Sequence, residues 1–288
     1  MVASDLDLLE AAARAAGDLA RKARRKEFKT WSKGSAGPVT EVDLAIDKLL
    51  KERLLAARPT YGWLSEETPD GPERLSCETI FVIDPIDGTQ AFIANEPEYT
   101  ISIGLVHKGE AVAGAVYNPA TREMFVGARG HGMWRNGEPC TASARETIKG
   151  AHMIGRREFF ISSRWPDPWP PVHVRTIHSI AYRLALVASG RQDGVILVGP
   201  KNHWDIAGGA ALVLAAGGRV SDPWGNAIPY NTPEARAPGM VASGAALHPL
   251  LIERTCILPE PVPPAGAVPA EANPAAGNPA AGNKDTPS

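Results

Sequence analysis

The feature that most constrains the fold of this chain is an apolar strand pattern that ends in acid. Thr79-Ile80-Phe81-Val82-Ile83 is a β-branched and aromatic run, the best strand signal in this part of the sequence, and it stops at Asp84-Pro85-Ile86-Asp87-Gly88-Thr89. Pro85 stiffens the turn and Gly88 permits tight backbone geometry. A strand-end turn of this kind aims Asp84, Asp87 and the Ile86 carbonyl at one point, an oxygen donor set suited to a hard cation such as Mg²⁺. Thr89 then opens a helical stretch over 90–94, whose first backbone N–H groups suit a phosphate. The same residues also read as a plain strand-to-helix turn with Asp87 as cap. The complete hexapeptide behind an apolar strand favours the metal reading.

Around this string the chain alternates helical and strand patterns. Leu6, Leu9, Ala13, Ala16, Ala20 and Ala23 recur at helical spacing within 5–29. The basic run Arg21, Lys22, Arg24, Arg25 and Lys26 closes that stretch, where cations suit a helix dipole; a phosphate or partner contact is its other reading. A loop over 34–38 leads to a second helix over 41–57, opened by Thr40 and Asp43 as a capping-box pair. A short strand over 61–64 ends at Ser65-Glu66-Glu67. Strands over 100–107, 111–117 and 123–128 form an antiparallel meander punctuated by Gly109, Asn118-Pro119 and Gly130. A second half follows, with a Pro/Trp-rich loop over 165–171, a helix over 180–189 and a strand over 194–198. An Ala/Gly-rich helix over 205–216, with Asp205 as its cap on the plainest reading, and a strand over 219–221 complete it.

The expected organisation is therefore an N-terminal α+β half over 1–140, a C-terminal α/β half over 141–258 and a tail over 259–288. The last 30 residues hold eight prolines and the repeat Asn-Pro-Ala-Ala-Gly. Such a segment has too little apolar surface to offset its ordering entropy, so disorder is expected there.

Composition bounds the function. With 44% hydrophobic and 22% charged residues the chain has ample material for a core. Thirty basic residues against 32 acidic ones leave a net charge of -2, too little basic surplus for a dedicated nucleic-acid binder. The three cysteines are far apart and form no CxxC pair, which argues against a Cys-rich zinc site and fits a reducing compartment. The N-terminus carries no secretory pattern, and no stretch approaches ~20 apolar residues. A cytoplasmic protein without a membrane segment is expected.

Val39-Thr40-Glu41-Val42-Asp43, Ser65-Glu66-Glu67, the 84–89 string and Trp204-Asp205-Ile206-Ala207-Gly208 occur in that order. Together they resemble the signatures of the inositol monophosphatase superfamily, metal-dependent and typically lithium-sensitive phosphomonoesterases, over roughly residues 5–255. The resemblance implies a layered α/β/α/β/α sandwich and a homodimer. It implies that Glu66, Asp84 and the Ile86 carbonyl bind one Mg²⁺, that Asp84, Asp87 and Asp205 bind a second, and that a third, weaker ion sits near Glu66. Asp43 and Thr89 would orient and help deprotonate the attacking water, and the Gly88 and Thr89 amides would hold phosphate oxygens. Clustered carboxylates make sense beside a phosphate ester only when cations invert their sign.

The substrate is read from a departure. Relatives that prefer inositol phosphates carry a Glu shortly before Trp-Asp; here residues 195–203 contain no carboxylate and carry Lys201 and His203 instead. In Ser179-Ile180-Ala181-Tyr182-Arg183-Leu184, Tyr182 is placed to stack on a base and Arg183 to meet a further phosphate, although a core Tyr182 and a surface Arg183 are the plain readings. These changes resemble the bacterial 3'(2'),5'-bisphosphate nucleotidase branch, which converts 3'-phosphoadenosine 5'-phosphate to AMP and phosphate. Inositol 1-monophosphate, histidinol phosphate or a sugar phosphate are the alternative substrates. An accessory protein of the transcription machinery is the alternative from another class.

Overall fold

In the computed structural model, residues 2–32, 34, 37–163 and 165–260 are described; the expected tail lies outside them from residue 261 onward. The elements in chain order are α1 (Val2–Ala23), β1 (Thr30–Ser32), β2 (Pro38–Thr40), α2 (Glu41–Ala57), β3 (Gly62–Ser65), β4 (Thr79–Asp87), α3 (Thr89–Ile93), β5 (Thr100–His107), β6 (Glu110–Asn118), β7 (Glu123–Ala128), β8 (Gly132–Arg135) and β9 (Glu138–Cys140). The second half contributes β10 (His152–Ile154), α4 (Arg157–Phe160), β11 (His173–Arg175), α5 (Ile180–Ala188), β12 (Gly194–Asn202), α6 (His203–Ala215), β13 (Gly218–Ser221), β14 (Arg236–Gly244) and α7 (His248–Thr255).

Strand alternation sorts these elements into layers. Along β4, Phe81 and Ile83 join the core under α1 and α2, whereas Ile80 and Val82 face the opposite core under α5 and α6. The sheet that β4 belongs to has seven strands in the order β3-β4-β5-β6-β7-β8-β9. Five more strands, ordered β11-β10-β12-β14-β13, form a second sheet. Its Val195, Leu197, Met240 and Ala242 point at α5 and α6, while Ile196 and Val241 point outward to Leu251 of α7. The layers thus run helices, sheet, helices, sheet, helix: the expected α/β/α/β/α sandwich.

α6 lies unusually close to the seven-stranded sheet because the contact is made of glycines. A Cβ on Gly114 would meet the Gly208 carbonyl oxygen at 2.3 Å, and one on Gly104 would meet Ala207 Cβ at 2.9 Å. This close seat brings the first turn of α6 over the carboxyl ends of β3 and β4.

Several expected boundaries shift. The first helix ends at Ala23, so Arg24, Arg25 and Lys26 fall beyond it. Asp84 to Asp87 are not a turn after a strand but the end of β4 itself, with Gly88 alone between it and α3. The cap of α6 is Asn202, with Asp205 three residues in as the reciprocal partner of a capping box. The α2 reading holds, including the Thr40–Asp43 capping box.

Candidate active site

β3 and β4 run parallel with Ser65 beside Ile83, so their carboxyl ends coincide and the Glu66 N–H donates to the Ile83 carbonyl at 3.2 Å. Ligand sites of α/β proteins favour such strand ends. Period-2 alternation puts Asp84 on the inner face with Ile80 and Val82, but it would put Asp87 on the outer face. A bulge resolves this: Asp84 pairs with Ser102 and Asp87 with Thr100, so three steps on β4 match two on β5. Pro85 sits within the bulge, where no ladder N–H is needed. One extra residue therefore turns Asp87 to the same side as Asp84.

Gly88 follows in the left-handed region, φ 94°, and a Cβ there would stand 2.9 Å from the Glu98 carbonyl oxygen. Glycine alone suits this position, and it lets the chain reverse into α3 with Thr89 at its first turn.

Glu66, Asp84, Ile86, Asp87, Gly88, Thr89 and Asp205 all line one cleft of about 360 Å³. Asp43 approaches from α2, within reach of the Thr89 hydroxyl, which donates to Asp43 Oδ1 at 3.3 Å and to the Ile86 carbonyl at 3.0 Å. Two helix N-termini point at the acids. The Ala181 N–H and Ser179 hydroxyl at the start of α5 donate to Asp87 Oδ2 at 2.5 and 2.6 Å, and the Asn202 N–H donates to Asp205 at 3.1 Å.

Negative charge in this cleft is undercompensated. Burial, followed by repulsion from Glu66, Asp87, Asp205 and Asp43, raises the Asp84 carboxyl well above the ordinary range. Burial also raises Asp87, against the opposing bonds from Ser179 and Ala181. Asp205 is pushed up to about 7 by burial and by Asp87 and Glu66. Asp43 is pushed up to about 6, again chiefly by burial. Among the described residues no three His, Cys, Asp or Glu side chains converge tightly enough to grip one ion; the acids share a cleft without closing on a point, as like charges do. The donors nevertheless fit a hard divalent cation. Asp84 Oδ1 is buried without any hydrogen-bond partner, and Glu66, Asp87, Asp205 and Ile86 line the same cleft and offer further oxygen donors.

Beside the acid cleft lies a larger one of about 620 Å³ that shares Gln90, His178 and Ile180 with it. Arg156, Arg183 and Lys201 line this second cleft, and no carboxylate does. Arg183 is anchored through bonds from Nε to the Ile177 carbonyl at 2.7 Å and from Nη2 to the His178 carbonyl at 3.4 Å. Lys201 Nζ donates to the carbonyls of Val198, Gly199 and Pro200 at 3.0 to 3.2 Å, closing the irregular end of β12.

Two readings of the specificity segment are corrected. Tyr182 does not face a ligand: it is buried, packs edge-on to Phe125 and donates its hydroxyl to Glu123 at 2.5 Å. His203 is turned into the core against Tyr230, where burial lowers it to about 4. Sequence reasoning missed Arg156, which falls in a stretch without a recognisable element. It also left Ser179 without a role, although a Ser before an apolar helix is a capping signal.

The layered sandwich, with an acidic cleft at its strand ends and a cationic cleft beside it, defines a class: a phosphomonoesterase of the α/β/α/β/α type. Comparison with known proteins agrees. The model of the inositol monophosphatase family matches residues 2–260. An inositol-1-monophosphatase of Rhizobium meliloti is 33% identical over 211 residues, 68% of this chain and 76% of that protein. The 3'(2'),5'-bisphosphate nucleotidase CysQ of Escherichia coli is 30% identical over 214 residues, 73% of this chain and 86% of that protein. The extragenic suppressor protein suhB of Bartonella henselae superposes with a TM-score of 0.76 at 27% identity, covering 88% of this chain and 99% of that one. The chain belongs to the inositol monophosphatase family, whose members are generally metal-dependent, typically on Mg²⁺, and act on small phosphate esters. No helix among the described residues is long and apolar enough to cross a membrane.

Proposed function

We propose that this chain is a Mg²⁺-dependent phosphomonoesterase for a small ester bearing a second phosphate, with 3'-phosphoadenosine 5'-phosphate, cleaved to AMP and phosphate, as preferred substrate. The observation that carries the substrate reading is the carboxylate-free cleft with Arg156, Arg183 and Lys201, continuous with the acids. A guanidinium there binds phosphate bidentately, whereas a polyol would want the acceptor that residues 195–203 lack.

Glu66, Asp84, Asp87, Asp205 and the Ile86 carbonyl would hold two to three ions. Such ions, when bound, lower the pKa of water and offset charge on the leaving oxygen. The remaining roles belong to the chain itself. The Thr89 hydroxyl stands between the cleft and Asp43, so a water hydrogen-bonded to Thr89 Oγ1 passes its proton through that hydroxyl to Asp43 Oδ1. A carboxyl with a pKa of about 6 is suited to accept it near neutral pH. The backbone amides of Gly88 and Thr89 receive phosphate oxygens and hold the ester in line. The homodimer implied by the resemblance belongs to the same reading.

The test is turnover on 3'-phosphoadenosine 5'-phosphate and on myo-inositol 1-phosphate, side by side with Mg²⁺. The expected kcat/KM favours the bisphosphate by at least about tenfold, the worth of one charge-assisted phosphate contact. Arg183→Ala should remove about that factor for the bisphosphate and little for the monophosphate. The inositol reading is favoured by the Rhizobium meliloti relative; preference for inositol phosphate would establish it instead.

A further inference from the structure

One buried carboxylate near the site belongs neither to the acid cleft nor to a salt bridge. Asp47 is 8% exposed and lies one turn along α2 from Asp43, on the same helix face. Its Oδ1 accepts the Ser65 hydroxyl at 2.5 Å and its Oδ2 accepts the Thr68 hydroxyl at 2.5 Å. Those two residues bracket Glu66 and Glu67. The loop is tightened from within: the Glu67 N–H donates to Ser65 Oγ at 3.4 Å, and Trp63 Nε1 donates to Thr68 Oγ1 at 3.2 Å. The Glu66 N–H is in turn tied to the Ile83 carbonyl, one residue before Asp84.

We infer that Asp47 is a positioning residue that fixes the acidic loop 65–68 and thereby sets how tightly a cation is held at Glu66. Helix α2 then acts as a ruler with two marks. Asp43 reaches the Thr89 hydroxyl, and Asp47, one turn further on, reaches the loop that carries Glu66. Glu66 sits at a strand end, half-buried, on a side chain with several free torsions. Holding both flanks of its loop removes backbone freedom that cation binding would otherwise have to remove, and ligand-orienting partners of this kind commonly govern affinity. Asp47 itself is directed at hydroxyls, not at the cleft, and lines none of it.

The inference rests on the metal-dependent reading of the cleft, so the experiment separates the two. Mn²⁺ is titrated into the full-length, chelator-treated protein by calorimetry, with melting temperature and Mn²⁺-dependent turnover measured on the same samples. Wild type, Asp47→Ala, Asp47→Asn and Thr68→Val are compared; the last is half-buried at the surface and leaves Asp47 intact. Asp47→Ala is expected to weaken Mn²⁺ binding by about tenfold, Thr68→Val by about threefold, and Asp47→Asn to recover part of the loss. In each variant kcat at saturating Mn²⁺ stays within about twofold of wild type, since no group at the reacting phosphate is changed. Unchanged Mn²⁺ affinity in Thr68→Val and in folded Asp47→Ala, with only the melting temperature lowered, would overturn the positioning role. Failure of the wild-type protein to bind Mn²⁺ at all would overturn the metal reading and this inference with it.

Discussion

Two kinds of buried carboxylate coexist in this molecule, and they are built in opposite ways. At the end of β4, Asp84 is 2% exposed, has an oxygen without a partner and is surrounded by other acids, so burial and repulsion raise its pKa. In the second half, Asp193 is 8% exposed but accepts the Ser143 hydroxyl at 2.5 Å, the His152 N–H at 2.7 Å and Arg145 Nε at 2.9 Å. Burial works against its ionised form, yet these partners outweigh it and the pKa falls below the ordinary value. Glu123 follows the second pattern. It accepts Tyr182, Thr121, Arg135 and Arg191 and is held ionised despite burial, while Tyr182 is pushed up to about 12. A carboxylate whose partners are all supplied by the fold is structural. Asp84, with an unpartnered oxygen among like charges, is instead set up for a cation to satisfy it.

The sharpest way to break this comparison is to neutralise one member of each set. Asp84→Asn should lower kcat by about a thousandfold or more, because a ligand charge is lost, while the metal-free protein melts no lower than wild type. Calorimetry beside a phosphate-release assay checks both halves. Glu123→Ala should do the reverse. It should cost about 2 kcal/mol of stability, discounted because Arg135 and Arg191 are partly exposed, with turnover per folded molecule within about twofold. Denaturant melts and active-site titration measure it.

A smaller effect sharpens the comparison through pH. The folded protein holds protons on Asp43, at about 6, and on Asp205, at about 7, that the unfolded chain has already released. Stability of the metal-free protein therefore decreases as pH rises from about 4 towards 7 through these groups. Asp193 and Glu123 act with the opposite sign, contributing stability that is lost only as pH falls through their lowered values. Divalent cations must displace the cleft protons, so about 10 mM Mg²⁺ should raise the melting temperature more at pH 8 than at pH 5.5. Melting curves over that grid, with and without Mg²⁺, decide it.

The same contrast explains what was legible in the sequence. The acid cleft is assembled from short local strings, each readable where it stands: a capping box at Thr40–Asp43, an acidic strand end at 65–67 and the string at 84–89. The convergence of these acids is expected from the strings themselves; the geometry that produces it is not local. That Asp87 shares a face with Asp84 depends on a bulge registered against β5, a distant partner. That Asp205 reaches them depends on glycines at 104, 114 and 208, which matter only once sheet and helix are packed together. β14 escaped because Pro238 and Gly239 interrupt its apolar pattern. It is a strand because β12 and β13 pair with it on both sides, with an irregularity opposite those residues. What decides between the base-stacking and core readings of Tyr182 is equally non-local, since its partner Glu123 is 59 positions away in the chain.

The central claim is that acids far apart in sequence share divalent ions in one cleft. Crystals soaked in Mn²⁺ and measured at an anomalous wavelength test it directly. The account predicts anomalous peaks in contact with Asp84 Oδ1 and shared with Glu66, Asp87 or Asp205. Mn²⁺-dependent turnover in solution, with no peak touching Asp84 in the soaked crystal, would contradict it.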